Sequence, residues 1–145
     1  MNFSGQAVEL IKRFEGLRLT AYQDTGGVWT IGYGHTGPDV YAGLTITKQQ
    51  AEILLALDMH RAAIGITKAL SVPLTQGQFD ALVSFAFNFG VAKLRGSTLW
   101  GLVQKKQFAM AAKQFGRWVY ADGRKLLGLI KRREAEKNLF EGVVP

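Results

Sequence analysis

The chain has 145 residues, no cysteine and a formal net charge of +7 at pH 7. That length suits one domain, or two lobes around a shared helix, and buries roughly 70% of the unfolded surface. Lack of cysteine excludes disulfides, thiolate nucleophiles and Cys-based zinc sites. No apolar run approaches the ~20 residues of a membrane span. The excess of Lys and Arg points to an anionic partner, be it nucleic acid, an acidic membrane surface or an anionic polymer.

The N-terminus lacks a basic region followed by an apolar run, so no signal peptide is expected. Ser4 is a suitable N-cap, and Ala7, Leu10, Ile11 and Phe14 follow at i, i+3, i+4 and i+7. This predicts a short amphipathic helix ending near Glu15, with Gly16 as its stop. Residues 17–36 then switch to a β rhythm, broken by Asp24-Thr25-Gly26-Gly27. A hairpin is expected there, followed by a loop through Gly37-Pro38 and a third short strand around Leu44–Ile46.

Thr47 with Gln50 is a capping box, opening a long helix to about Leu70 that Val72-Pro73 ends. At 1.5 Å per residue it would run ~35 Å, enough to bridge two lobes. Thr75 and Gln78 form a second capping box before Phe79, Leu82, Val83, Ala86 and Phe87, a helix apolar enough to be central. Asn88-Phe89-Gly90 closes it. Shorter helices are expected near 98–105 and 107–117, a turn at Asp122-Gly123, and a final basic helix over Leu126–Phe140. The Lys and Arg of that last helix read as a solvated face. A sharper alternative is attraction to an anionic wall or lipid surface.

The early acids are the candidates for chemistry. Glycoside hydrolysis needs one protonated carboxyl to donate to the leaving oxygen and one carboxylate to activate water or attack the sugar. Glu15 sits at a helix C-terminus with Phe14 and Leu17 beside it, a setting that disfavours a carboxylate. Asp24 sits in a polar, Gly-rich turn that suits an ionised group. An odd hairpin loop centred on Gly27 would put Asp24 directly opposite Thr30 on one face, where the two could hold a water. Nine residues of straight strand would separate the acids by ~30 Å, so the chain must double back around Gly16–Leu19.

Glu15, eight residues, Asp24, five residues, Thr30, then Ile31-Gly32-Tyr33-Gly34-His35, resembles the catalytic signature of the phage-type lysozymes or endolysins, glycoside hydrolase family 24. The similarity extends to Val72-Pro73-Leu74-Thr75, Phe85-Ala86-Phe87-Asn88, Ser97-Thr98-Leu99, Arg117-Trp118 and residues 128–136. It implies an α+β, mainly helical, lysozyme-like fold in a single domain over 1–145. A β lobe would span about 16–46, a linking helix about 47–70, and a helical lobe about 72–145 packed with helix 5–15, with a cleft between the lobes. It further implies a peptidoglycan muramidase that inverts at the anomeric carbon and cuts the β-1,4 bond after N-acetylmuramic acid. Glu15 would be the general acid, Asp24 the base or electrostatic partner, and Thr30 the residue positioning water. Phe87, Asn88 and Thr98 would contact sugar. No metal or cofactor is expected, nor a nucleic-acid partner, and a monomer in the host cytoplasm would reach the wall through a holin-type pore.

Rival readings are a cationic membrane- or nucleic-acid-binding protein and a lytic transglycosylase, which needs only one acid. Gly32-Tyr33-Gly34-His35-Thr36-Gly37 matches the letter of a dinucleotide motif, but Pro38–Gly43 offers no helix start for a phosphate. His35 is expected to be a structural hydrogen-bonding residue, by resemblance paired with an acid on the long helix, here Asp58. Phe79, Leu82, Val83 and Phe85 are expected in the core.

Overall fold

The computed structural model describes residues 1–143. Helix α1 (Gly5–Glu15) starts where expected, with the Ser4 hydroxyl accepting from Gln6 N. Buried Asp80 pins that start: it accepts from Ser4 N and from Gln76 Nε2, both at 2.9 Å, and from the Ser4 hydroxyl. Gly16 ends the helix at φ +71°, a conformation costly for a residue with a Cβ.

The chain then enters a three-stranded antiparallel sheet, β1 (Arg18–Gln23), β2 (Trp29–Gly32) and β3 (His35–Thr36). Register between β1 and β2 slips between Arg18 and Tyr22, so four steps along β1 oppose two along β2. This bulge and the turn at Gly16 shorten the path from Glu15 to Asp24. The segment expected as the third strand, Leu44–Ile46, instead runs along the outer edge of β1. It makes only a single bridge, Thr45 to Thr20, flanked by Ala21 N to Leu44 O and Ile46 N to Leu19 O. The third strand is β3, made by the tight reversal at Tyr33-Gly34.

Helix α2 (Lys48–Ala69) carries the predicted capping box, with Thr47 and Gln50 exchanging hydrogen bonds at 2.8 and 3.1 Å. The 22 residues span ~33 Å and join the sheet to the helical lobe. Helix α3 (Gln76–Phe89) has the second capping box and nine consecutive buried residues, Gln78–Ala86, so it is the central helix of the core. Phe79, Leu82, Val83 and Phe85 are among them, as expected.

Three short helices follow α3: α4 (Val91–Arg95), which packs on it, then α5 (Thr98–Gln104) and α6 (Phe108–Gln114), which pack on each other, the last continued by a 3₁₀ turn over Phe115–Arg117. Helix α4, only five residues long, lacks a periodic signal of its own. Asp122 and Gly123, both at positive φ, form the two-residue turn of a small hairpin between β4 (Tyr120–Ala121) and β5 (Arg124–Lys125). Helix α7 (Leu127–Glu141) packs along α3 and closes the lobe.

One reading is overturned here. Helix α7 is not a solvated basic face throughout, because Arg132, Arg133 and Glu136 are 3%, 1% and 0% exposed.

Candidate active site

Glu15, the last residue of α1, is brought against two distant parts of the chain. Its Oε2 accepts from Arg132 Nη1 of α7 at 2.6 Å, and its side chain stays about one-fifth exposed. Its Oε1 and Cδ lie against Gly34, where an added Cβ would come within 2.9 Å of Cδ. Gly34 therefore keeps room for the carboxyl, and its φ of +74° adds a second reason for glycine there. Phe14 and Leu17 are half-buried, and the direct partner of the carboxyl is a guanidinium.

Arg132 is itself held. Its Nη2 donates to the Ser84 carbonyl at 3.2 Å, and its Nε lies 3.5 Å from Glu136 Oε2. Behind it, Arg133 grips Glu136 through Nε at 2.6 Å and Nη2 at 2.8 Å, while the Ser84 hydroxyl donates to Glu136 Oε2 at 2.5 Å. Burial pushes the Glu136 carboxyl up, against the pull of Arg133, Arg132 and Ser84. The Arg133 guanidinium also lies over the rings of Phe85 and Phe89, at 5.2 and 4.8 Å. A buried charge is tolerated when each partner is paired in this way.

Asp24 opens the β1–β2 turn. Its N–H donates to Val28 O, and its Oδ1 accepts from Gly26 N and Val28 N, all at 2.9 Å. These bonds exploit the short side chain's habit of closing its own turn. Among the described residues no hydrogen bond engages Oδ2. The loop has an odd length but is centred on Gly26, not Gly27, so the register differs from expectation. Thr30 pairs with Tyr22, and Asp24 faces Val28. Asp24 and Thr30 thus share a face by strand alternation, as diagonal rather than direct neighbours, roughly 7–8 Å apart at Cα. Thr30 is buried, and its hydroxyl donates to Val28 O at 2.9 Å.

Tyr22, opposite Thr30 on β1, lies within electrostatic reach of both acids. Burial raises its phenol pKa, the Glu15 and Asp24 charges raise it further, and Arg18, whose guanidinium lies 4.3 Å from the ring centroid, opposes them.

A cleft of about 230 Å³ opens beside this region, walled by Gly34 and Thr36 of the sheet, Asp58, Arg61 and Ala62 of α2, and Ala86, Phe87 and Gly90 of α3. Phe87 lies in its wall as expected. Asn88 is half-buried outside it, with an Oδ1 that finds no donor among the described residues. Thr98 is exposed at the first turn of α5 and does not line the cleft. Below the cleft, His35 Nδ1 meets Asp58 Oδ2 at 2.7 Å and Nε2 meets Asp39 Oδ2 at 3.0 Å. The expected His35–Asp58 pairing is therefore observed, and Asp39 is an additional partner. Trp118 packs edge-on against Phe85 at 5.1 Å and is half-buried, an aromatic anchor of the lobe.

Arg132 is the functional contact that sequence reasoning missed. The signal was available: Leu129, Arg132, Arg133, Glu136 and Phe140 fall at i, i+3, i+4, i+7 and i+11, one stripe of a helix. Two arginines and a glutamate on the apolar stripe are the mark of a buried ion cluster.

Comparison with known proteins agrees with this architecture. Residues 12–136 match the family described as "Phage lysozyme". The chain is 46% identical over 142 residues to the endolysin of Bacillus phage B103, covering 97% of this chain and 54% of that protein. It thus spans about half the length of its Bacillus phage relatives. Among solved structures, the endolysin from Escherichia coli O157:H7 phage FAHEc1 superposes with a TM-score of 0.89 at 36% identity, covering 100% of this chain and 97% of that one. The muramidase domain of SpmX from Asticaccaulis excentricus superposes at 0.88 with 39% identity, covering 99% of both chains. With a family match across most of its length and the same fold in such relatives, the chain belongs to the phage lysozyme family.

Proposed function

We propose that the chain is a peptidoglycan muramidase that hydrolyses the β-1,4 bond following N-acetylmuramic acid. The observation that carries this reading is the Glu15 carboxyl, held by a buried guanidinium against Gly34, itself a residue of the cleft wall. Relatives named as endolysins and as a muramidase domain support the same reading.

Glu15 is the general acid. Its Oε2 is occupied by Arg132, which leaves Oε1, on the Gly34 side, to carry the proton. That proton passes to the glycosidic oxygen as the bond to the anomeric carbon breaks. Asp24 stabilises the positive charge developing on the sugar, or accepts a proton from the attacking water at Oδ2 while the turn amides hold Oδ1. Thr30 donates its hydroxyl proton to Val28 O, so its oxygen lone pairs are available to a water between it and Asp24. In this reading the water attacks the face of the sugar away from Glu15, which gives inversion. Phe87 offers an apolar wall to the sugar ring, while Asn88 and Thr98, outside this cleft, reach only glycan that extends beyond it.

The β lobe at about 16–46, the linking helix and the helical lobe act as one domain of 1–145 around this cleft. The excess positive charge, including exposed Lys131 of α7, draws the protein to anionic wall or lipid. Among the described residues, no helix is long and apolar enough to cross a membrane. We place the protein in the host cytoplasm as a monomer, passing to the wall through a holin-type pore.

Product chemistry tests the reaction. Digestion of purified peptidoglycan in ¹⁸O water, read by mass spectrometry, is expected to give reducing-end muramic acid carrying one ¹⁸O. Release of 1,6-anhydro products without label would replace hydrolysis by transglycosylation.

A further inference from the structure

Asp58, Arg61 and Ala62 fall at i, i+3 and i+4 of α2 and present one stripe of that helix to the cleft. Gly34, the glycine against the Glu15 carboxyl, lines the same opening. Among the lining residues Arg61 is the one cation and Asp58 the one acid. Arg61 is held loosely. Its side chain is 77% exposed, and its Nη1 lies 3.4 Å from Asp58 Oδ1. The two acids within reach of Arg61, Asp58 and Asp39, both bind His35 more closely, at 2.7 and 3.0 Å. Among the described residues no hydrogen bond engages Arg61 Nε or Nη2. An exposed ion pair of this kind contributes little to stability, so the guanidinium can turn toward a ligand at small cost. It then offers two parallel N–H groups, the fork that fits a carboxylate.

We propose that Arg61 is a specificity-determining residue that binds a carboxylate carried by muramic acid in the glycan. This inference rests on the muramidase reading above. The lactyl ether is what distinguishes N-acetylmuramic acid from N-acetylglucosamine, so a cleft that cuts after the former needs a group that reads it. In peptide-free glycan the lactyl carboxyl is an anion. Where a stem peptide is attached, that carboxyl is an amide, and the negative charge sits on carboxylates of the peptide. Both sources present the same planar anion. Phe87 and Ala86 line the cleft with apolar surface, and such low-dielectric walls strengthen the attraction between Arg61 and an anion beside them. A lysine would supply the charge without the planar fork, so it replaces Arg61 only in part.

The test compares the native chain with Arg61→Gln and Arg61→Lys on two substrates: soluble glycan bearing stem peptides, and the same glycan stripped of peptide by an amidase. Each is used untreated and after its carboxylates are converted to neutral amides with a carbodiimide and methylamine. Release of reducing ends gives kcat and KM. Arg61→Gln is expected to raise KM about fivefold or more while kcat changes less than about twofold, and Arg61→Lys to recover part of the loss. Amidation is expected to raise the native KM by a similar factor and to leave that of Arg61→Gln nearly unchanged. A KM effect on stripped glycan assigns the lactyl carboxylate, and an effect confined to peptide-bearing glycan assigns the stem peptide. An unchanged KM on both substrates, or amidation that acts equally on native chain and variant, would overturn the proposal while the muramidase reading stands. If the native chain releases no reducing ends from intact or stripped glycan, that reading falls and the proposal with it.

Discussion

At the scale of single residues, the positioning of Glu15 depends on what surrounds it more than on its own place in α1. Gly34 is the sharpest case. A Cβ there would meet the Glu15 carboxyl and would also sit at φ +74°. Gly43, at φ +87° with open space around it, would suffer only the backbone penalty. Both Gly→Ala changes are expected to cost about 1 kcal/mol or more in stability. Only Gly34→Ala is expected to reduce peptidoglycan clearing more than tenfold, since a misplaced catalytic group loses rate steeply. Thermal melts and turbidity assays on the two variants check this, and equal activities would remove Gly34 from the site. Much at this scale was legible in advance. The stop at Gly16 follows from its place after a helix, and residue type and spacing mark Glu15, Asp24 and Thr30 as the candidates that the variants test. Arg132 was passed over because basic residues in a helix read first as solvent-facing, and only its stripe with Leu129 and Phe140 says otherwise.

At the scale of elements, the sheet is fastened to the long helix by His35 of β3 and Asp58 of α2. Burial alone would lower the His35 pKa, but hydrogen bonds to Asp58 and Asp39 more than reverse it. The folded value therefore lies above the ordinary value near 6.5. The stabilisation is complete below about pH 6.5 and is lost as pH rises through the folded value. Asp39 behaves oppositely: its bond to His35 holds its carboxyl below the usual range, and that contribution fades as pH falls through the lowered value. Between these limits, Asp58→Asn is expected to cost about 1.5–3 kcal/mol. It should also flatten the stability profile above pH 6.5. Urea unfolding from pH 5 to 9 measures both, and an unchanged profile would show that the pairing contributes nothing. Element starts at Ser4, Thr47 and Thr75 could be read from side chains that cap their own helices. The hairpin register could not, because the choice between Gly26 and Gly27 as centre depends on bonds that Asp24 makes only once the turn exists.

At the scale of the whole molecule, α1, α3 and α7 meet around a buried charge cluster that also holds Glu15, the proposed general acid. Glu136 holds Arg133, approaches Arg132 and accepts from Ser84, so α7 is locked to α3 by the same group that stands behind Glu15. Replacing Glu136 by Gln leaves Arg133 buried beside a neutral partner and is expected to destabilise the fold by about 3–5 kcal/mol. Guanidinium unfolding reads that loss, and a change below 1 kcal/mol would mean the cluster is dispensable. The linking helix and central helix were foreseeable from their capping boxes and apolar content, whereas the closure of α7 over α3 is a tertiary fact with no local signature. The central claim is that the carboxyl of Glu15 donates a proton to a glycosidic bond. Its most direct test is the release of reducing ends from purified peptidoglycan by the native chain and by Glu15→Gln. The expected result is a rate at least 100-fold lower for the variant, at a Tm close to that of the native chain. Equal rates with an intact fold would contradict it.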